Sequence, residues 1–183
     1  MFRQRLLPLC IVATVGLLPS STARATTVQA VSMQELTAAS GLVVLGRVAS
    51  VESVWSGGRP EREVTLSVEE VFKGTRPGAT LRLRSEGGRV GRWASQVAGA
   101  PVFEPGQQVI VLLERRSDGA WTPTGLSLGV FFVETDRSGA TVARRSYDGL
   151  VFAEPAAAPG AASLSWNTVW SVEALTSFLR TVQ

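Results

Sequence analysis

Short apolar runs, set roughly ten residues apart and divided by turn residues, leave this chain few architectures. The first, Leu42–Val51, is apolar on both faces where it begins, so that end of the strand must be covered on both sides. Gly46 within it predicts a bend or bulge, because a residue without Cβ lets a strand turn a barrel corner. After a turn at Ser56–Pro60, Val64, Leu66 and Val68 alternate with Thr65, Ser67 and Glu69, the pattern of a strand with one wet face. The phase slips where Glu69-Glu70 meets Val71-Phe72, which predicts a bulge near the glutamates. Lys73–Gly78 turns, and Leu81 and Leu83 then alternate with Arg82 and Arg84 in a third strand whose outer face is basic. A glycine-rich loop over 87–106 leads to Val109–Leu113, which reads as a buried central strand. Turns at Ser117–Gly119 and Asp136–Gly139 set off a return strand at Trp121–Thr124, the run Leu128–Val133 and a closing Thr141–Ala143. The series predicts a mainly β domain over residues 32–146, an antiparallel barrel or a sandwich around a single core.

Helices are expected only at the borders of this region. Ser32-Met33-Gln34-Glu35 has the form of a capping box, which opens a short helix running to Ala39 and ended by Ser40-Gly41. Residues 154–163 are almost wholly Pro, Ala and Gly and read as a linker. Beyond them Val172, Leu175, Phe178, Leu179 and Val182 fall at helical spacing and predict a C-terminal amphipathic helix over 167–182. Two readings stay open for that helix: docking on the barrel, or swinging on its linker as a tether or partner-binding segment.

Residues 1–25 have the form of an export leader. Arg3 and Arg5 precede the apolar stretch Leu6–Leu18, and Ala23-Arg24-Ala25 offers the small residues of a cleavage site. The apolar stretch falls short of the roughly twenty residues that a bilayer core requires. Cleavage would remove Cys10, the only cysteine, and three of the 18 basic residues, so that Lys and Arg balance the 15 acidic residues. The expected product is secreted or periplasmic, without disulfides and without a transmembrane helix after cleavage.

The composition weakens the case for an enzyme. The chain has no histidine, the usual proton carrier near neutral pH, and the mature part would have no cysteine, the most reactive nucleophile. Transition-metal sites lean on those same two residue types. Calcium needs clustered oxygens, whereas Asp118, Asp136 and Asp148 stand in separate turns. No catalytic residue, metal site or cofactor is therefore assigned. A hydrolase would have to use a serine with Lys73 as its base, or a carboxylate pair such as Glu61 with Glu63, which could share a strand face, whereas Glu69 and Glu70 would point to opposite sides of an unbulged strand. A turn lysine and a solvated strand edge account for those residues more simply.

One stretch is strongly basic. From Lys73 to Arg92, the cations Lys73, Arg76, Arg82, Arg84, Arg89 and Arg92 face Glu86 alone. Arg82, Arg84, Arg89 and Arg92 are candidates for holding an anionic partner, with Trp93 as a stacking surface. Export argues against nucleic acid and leaves an acidic polymer, lipid head groups or an acidic exported protein. The competing account is a solvated strand face neutralised by nearby glutamates. Gly87–Arg92 has the glycine content of a phosphate cradle but lacks its Gly-Lys-Ser/Thr ending and a following helix, so it reads as a hairpin or flap.

The string Leu42-Val43-Val44-Leu45-Gly46-Arg47-Val48, then Val64–Val68 and Val71-Phe72-Lys73-Gly74, resembles the opening of netrin-like modules, including the tissue inhibitors of metalloproteinases. From Ser32 to Val133 the chain also resembles bacterial secreted proteins of unassigned function. That likeness rests on Gly87-Gly88-Arg89-Val90-Gly91, on Gly99–Gly106 and on Gly125–Phe131. The resemblance implies an OB barrel and a protein that covers another protein's active site. The inhibitors set a disulfide-bonded N-terminal cysteine on the catalytic zinc, and with no cysteine after residue 25 that mechanism does not carry over. The expectation is an exported, non-enzymatic binding module, with an inhibitor or companion of an exported protease as the alternative.

Overall fold

The computed structural model describes residues 26–29, 31–153 and 168–182; the expected leader, 1–25, and the linker, 154–163, lie outside them. The first elements are β1 (Thr26–Gln29) and α1 (Met33–Ala39). The capping box is formed: Glu35 N–H donates to Ser32 Oγ, and Ser32 N–H donates to the Glu35 carboxylate at 2.7 Å. At the other end the Lys73 ammonium donates to the carbonyls of Thr37 and Ala38, at 2.6 and 3.1 Å. Carbonyls at a helix C-terminus lack intrahelical partners and carry partial negative charge, so a cation there satisfies both needs. Lys73 is thus a cap on α1 as well as the residue before a turn.

β2 (Leu42–Ser56) and β3 (Arg59–Lys73) form a long hairpin turned at Gly57-Gly58, whose φ angles of 54° and 81° suit glycine. Pairing jumps from Leu45↔Glu70 to Gly46↔Val68 and so leaves Glu69 out, the bulge that the phase slip predicts. A Cβ on Gly46 would stand 2.6 Å from the Ser67 carbonyl oxygen, so the bend requires glycine. Beyond Val48, β2 pairs only with β3, because its ladder with the central strand covers Leu42–Arg47. The hairpin therefore runs past the central strand, while β3 stays paired along its other edge as far as Glu61.

Next come β4 (Thr80–Glu86), β5 (Gly88–Val90), β6 (Trp93–Ser95), β7 (Gln108–Arg115) and β8 (Trp121–Pro123). Five strands close a ring in the order β2-β3-β4-β8-β7, with β7 returning to β2. The pairings are antiparallel except for the parallel bridge Leu83↔Trp121 between β4 and β8. This is a small OB-like barrel, partly open at that bridge. A 3₁₀ turn (Leu126–Gly129) leads to β9 (Val130–Thr135), so the apolar run from Leu128 is part turn and part strand. The far edge of β7 is shared: Leu113–Arg115 pair with β8, and Gln108–Val111 pair with β9. From β9 the sheet extends outside the ring through β10 (Thr141–Arg144). β11 (Leu150–Ala153) pairs in parallel with β1, and β12 (Val169–Ser171) pairs with β10.

The single core expected from the sequence is in fact two. Side chains alternate across a strand, so Val109, Val111 and Leu113 of β7 fill the ring while Ile110 and Leu112 face outward. The outward layer is covered by Met33 and Leu36 of α1 and by Leu175 and Leu179 of α2 (Val172–Thr181). This double coverage explains why Val109–Leu113 is continuously apolar. Docking of α2 settles the two readings of that helix. Leu175 and Leu179 are buried, which is worth roughly 1.5–3 kcal/mol each, and Arg180 bonds Glu70 at 2.9 Å. The helix begins at Val172 and not at 167, because Val169–Ser171 are taken up by β12 and Ser171 caps the helix. Within the outer layer the Arg145 guanidinium lies over the rings of Phe131 and Tyr147, and burial pulls it below its ordinary value. Among the described residues, no helix is long and apolar enough to cross a membrane.

Candidate functional site

The site is built on the end of the β2–β3 hairpin that runs past β7. β5 and β6 form a second hairpin around the two-residue turn Gly91-Arg92, where Gly91 has φ 58°, the glycine-first turn that suits a twisted hairpin. It lies close against the first: a Cβ on Gly88 would meet the Glu61 carbonyl oxygen at 3.0 Å and Ser53 Oγ at 3.2 Å. The Arg89 N–H donates to Ser53 Oγ at 3.1 Å and fastens the two hairpins together.

Two tryptophans stand out from this end. Trp55 is 52% exposed and Trp93 is 56% exposed, with ring centroids 6.3 Å apart at an interplanar angle of 67°. The edge-to-face arrangement matches the positive ring edge to the negative face. The Arg92 guanidinium lies 5.2 Å from the Trp93 ring centroid, within cation–π range. The indoles line a cavity of about 450 Å³ together with Gly58, Arg59 and Pro60. A second cavity of about 700 Å³ opens beside it, its cations Arg62 and Arg89 and its acid Asp148. Ala94 and Ser95 of β6 line both.

Beneath the tip lies an ion-pair network. Glu61 is fully buried and accepts from Arg116 at 2.9 Å, while Arg59 reaches Glu61 at 3.5 Å and Glu86 at 2.5 Å. The hydrogen bond to Glu61 raises the Arg116 guanidinium above its ordinary value. Glu61 is therefore not part of a solvated strand edge. Arg84 pairs with Glu63 at 2.8 Å, so the carboxylates Glu61 and Glu63 are each held by arginine.

The five candidates from the sequence divide into two groups. Arg82 and Arg84 stand on β4, on the face opposite the buried Leu81 and Leu83, and the Glu63 bond fits the neutralised-face account for Arg84. Arg89, Arg92 and Trp93 belong to the tip, and among the described residues neither of these two arginines makes an ion pair. Sequence reasoning missed Trp55, Arg59 and Arg62. Trp55 and Arg59 flank the Ser56-Gly57-Gly58 turn, a local signal that marks them as tip residues but does not place them beside Trp93. Lys73, the only base open to a serine nucleophile, is engaged by the α1 carbonyls. Compared with known proteins, the chain matches no family model and no curated sequence.

Proposed function

We propose that this chain is an exported, non-enzymatic binding module of the cell envelope or extracellular space, and that it holds an anionic partner at the hairpin tip. An OB-like ring serves many functions, so the argument rests on the site and not on the fold. The observation that carries it is the Trp55–Trp93 pair, two indoles left more than half in water beside Arg92. An aromatic side chain can bury 150–250 Å², so leaving two exposed forgoes a sizeable hydrophobic gain. Tryptophan and arginine are also the residues that most often dominate a binding interface. Export is supported by the form of residues 1–25.

The test is a fluorescence titration of the protein with two anionic probes, poly-L-glutamate and alginate, at low and high salt. Binding that weakens as salt rises is expected with at least one probe. It should fall about tenfold or more in Trp55→Ser/Trp93→Ser and in Arg89→Gln/Arg92→Gln, while Arg82→Gln changes it little. Equal binding by all variants, or no binding to either probe, would overturn the assignment.

A further inference from the structure

We infer that the tip receives its partner as an added β-strand: an extended peptide of alternating acidic and apolar residues, laid antiparallel along the outer edge of β6. This rests on the binding-module reading above and names the partner's class as protein.

The argument starts from the β5–β6 ladder. In a hairpin with a two-residue turn, the pair next to the turn exchanges backbone hydrogen bonds and the following pair does not. Here Val90↔Trp93 flanks the turn, so Arg89↔Ala94 is the pair whose N–H and C=O groups point away from each other. Arg89 shows this directly, because its N–H leaves the ladder for Ser53 Oγ. By the same alternation Ala94 turns its N–H and C=O outward. Ala94 is exposed, and among the described strands β6 pairs only with β5. An edge of this kind is a template for another strand.

The surroundings fix the guest's sequence. Partners directly opposite in an antiparallel pair put their side chains on one face of the sheet, so a residue opposite Ala94 shares the face of Arg89. That is the side on which an acidic residue would be matched, by Arg89 and Arg62 of the larger cavity. Its two neighbours point to the opposite face, that of Trp93, where Trp55 and Pro60 give the smaller cavity, lined also by Arg59, its apolar surface. Backbone bonding at the edge with alternate side chains in separate cavities is the arrangement by which sheet edges read peptides. A polysaccharide could use the cations and indoles, and its hydroxyls could bond Ala94, but it lacks the regularly spaced N–H and C=O groups that pair along a strand edge.

The experiment uses the intact protein and a short, end-capped peptide alternating glutamate with leucine. Two further versions are methylated on the backbone nitrogen, one at the glutamates only and one at the leucines only. The glutamates lie opposite Ala94 and supply the strand's bonds, so methylating them should weaken binding about tenfold or more, as expected for losing hydrogen bonds at the edge. Methylating the leucines should change it less than about threefold. Ala94→Pro, which removes the outward N–H and is tolerated on an edge strand, should weaken the unmodified peptide similarly with an unchanged melting temperature. If that variant melts early, the methylated peptides decide the matter with the protein unaltered. Equal affinity for the two methylated peptides overturns the added strand. Should alginate still bind in that case, the tip survives as a polymer site; failure of both polyglutamate and alginate removes the tip assignment and this proposal with it.

Discussion

Glu61 shows how a single side chain can be read correctly for its face and wrongly for its surroundings. Alternation along β3 puts Glu61 and Glu63 on one side, and both are there, opposite Glu86 and Arg84. What alternation does not contain is the pair of arginines closing over Glu61 from the β2–β3 turn and from the turn after β7. A buried carboxylate is tolerable because its charge is matched, and removing one partner leaves the other short of a counter-charge. Glu61→Ala should therefore destabilise the protein by about 2–3 kcal/mol, below the full range for buried pairs because Arg116 also reaches Asp118 and water. Urea unfolding of the single and double variants with Arg116→Ala measures this, and additive effects would show the two residues to be uncoupled.

Among the elements, α1 is the most local and was the most legible. Its box, its length and its stop at Ser40 all follow from residues within one turn of each other. The Ser32 N–H and hydroxyl hold the Glu35 carboxyl below its ordinary value, so folding favours the ionised form. Its contribution is complete above the ordinary carboxylate range near pH 4.3 and is lost as pH falls through the lowered folded value. The gap in melting temperature between the wild type and Glu35→Ala should be open at pH 7 and close progressively below about pH 4. A gap that stays constant with pH would remove the carboxylate from the box. Gly46 and the bulge at Glu69 were legible for the same reason, since each interrupts an alternation within its own strand. The full reach of β2 and β3, the strand β12 and the meeting of Trp55 with Trp93 were not. They depend on which distant segments pair, and Ala49–Ser56 is too polar for its pattern to declare a strand.

For the molecule as a whole, the decisive fact is that β2 and β7 carry a core on each face. Val44 and Val111 belong to the ring, whereas Val43 and Leu112 belong to the layer under the helices. The two layers should consequently unfold together. Leu175→Ala, which opens a cavity in the outer layer alone, should cost about 2–4 kcal/mol. It should move the circular dichroism and tryptophan fluorescence transitions by the same denaturant increment. A fluorescence transition left in place while the helical signal shifts would show the barrel to be independent of its cover. The sequence implied one core because its apolar runs do not say which of their two faces meets which neighbour.

The hairpin end that runs past β7 stands apart from this shared wall. Substitutions at Trp55 or Trp93 disturb few of the contacts that hold the two layers together, so such a lineage can swap one clientele for another without renegotiating its architecture. For the engineer, the same overhang is a ready mount on which foreign loops can be grafted.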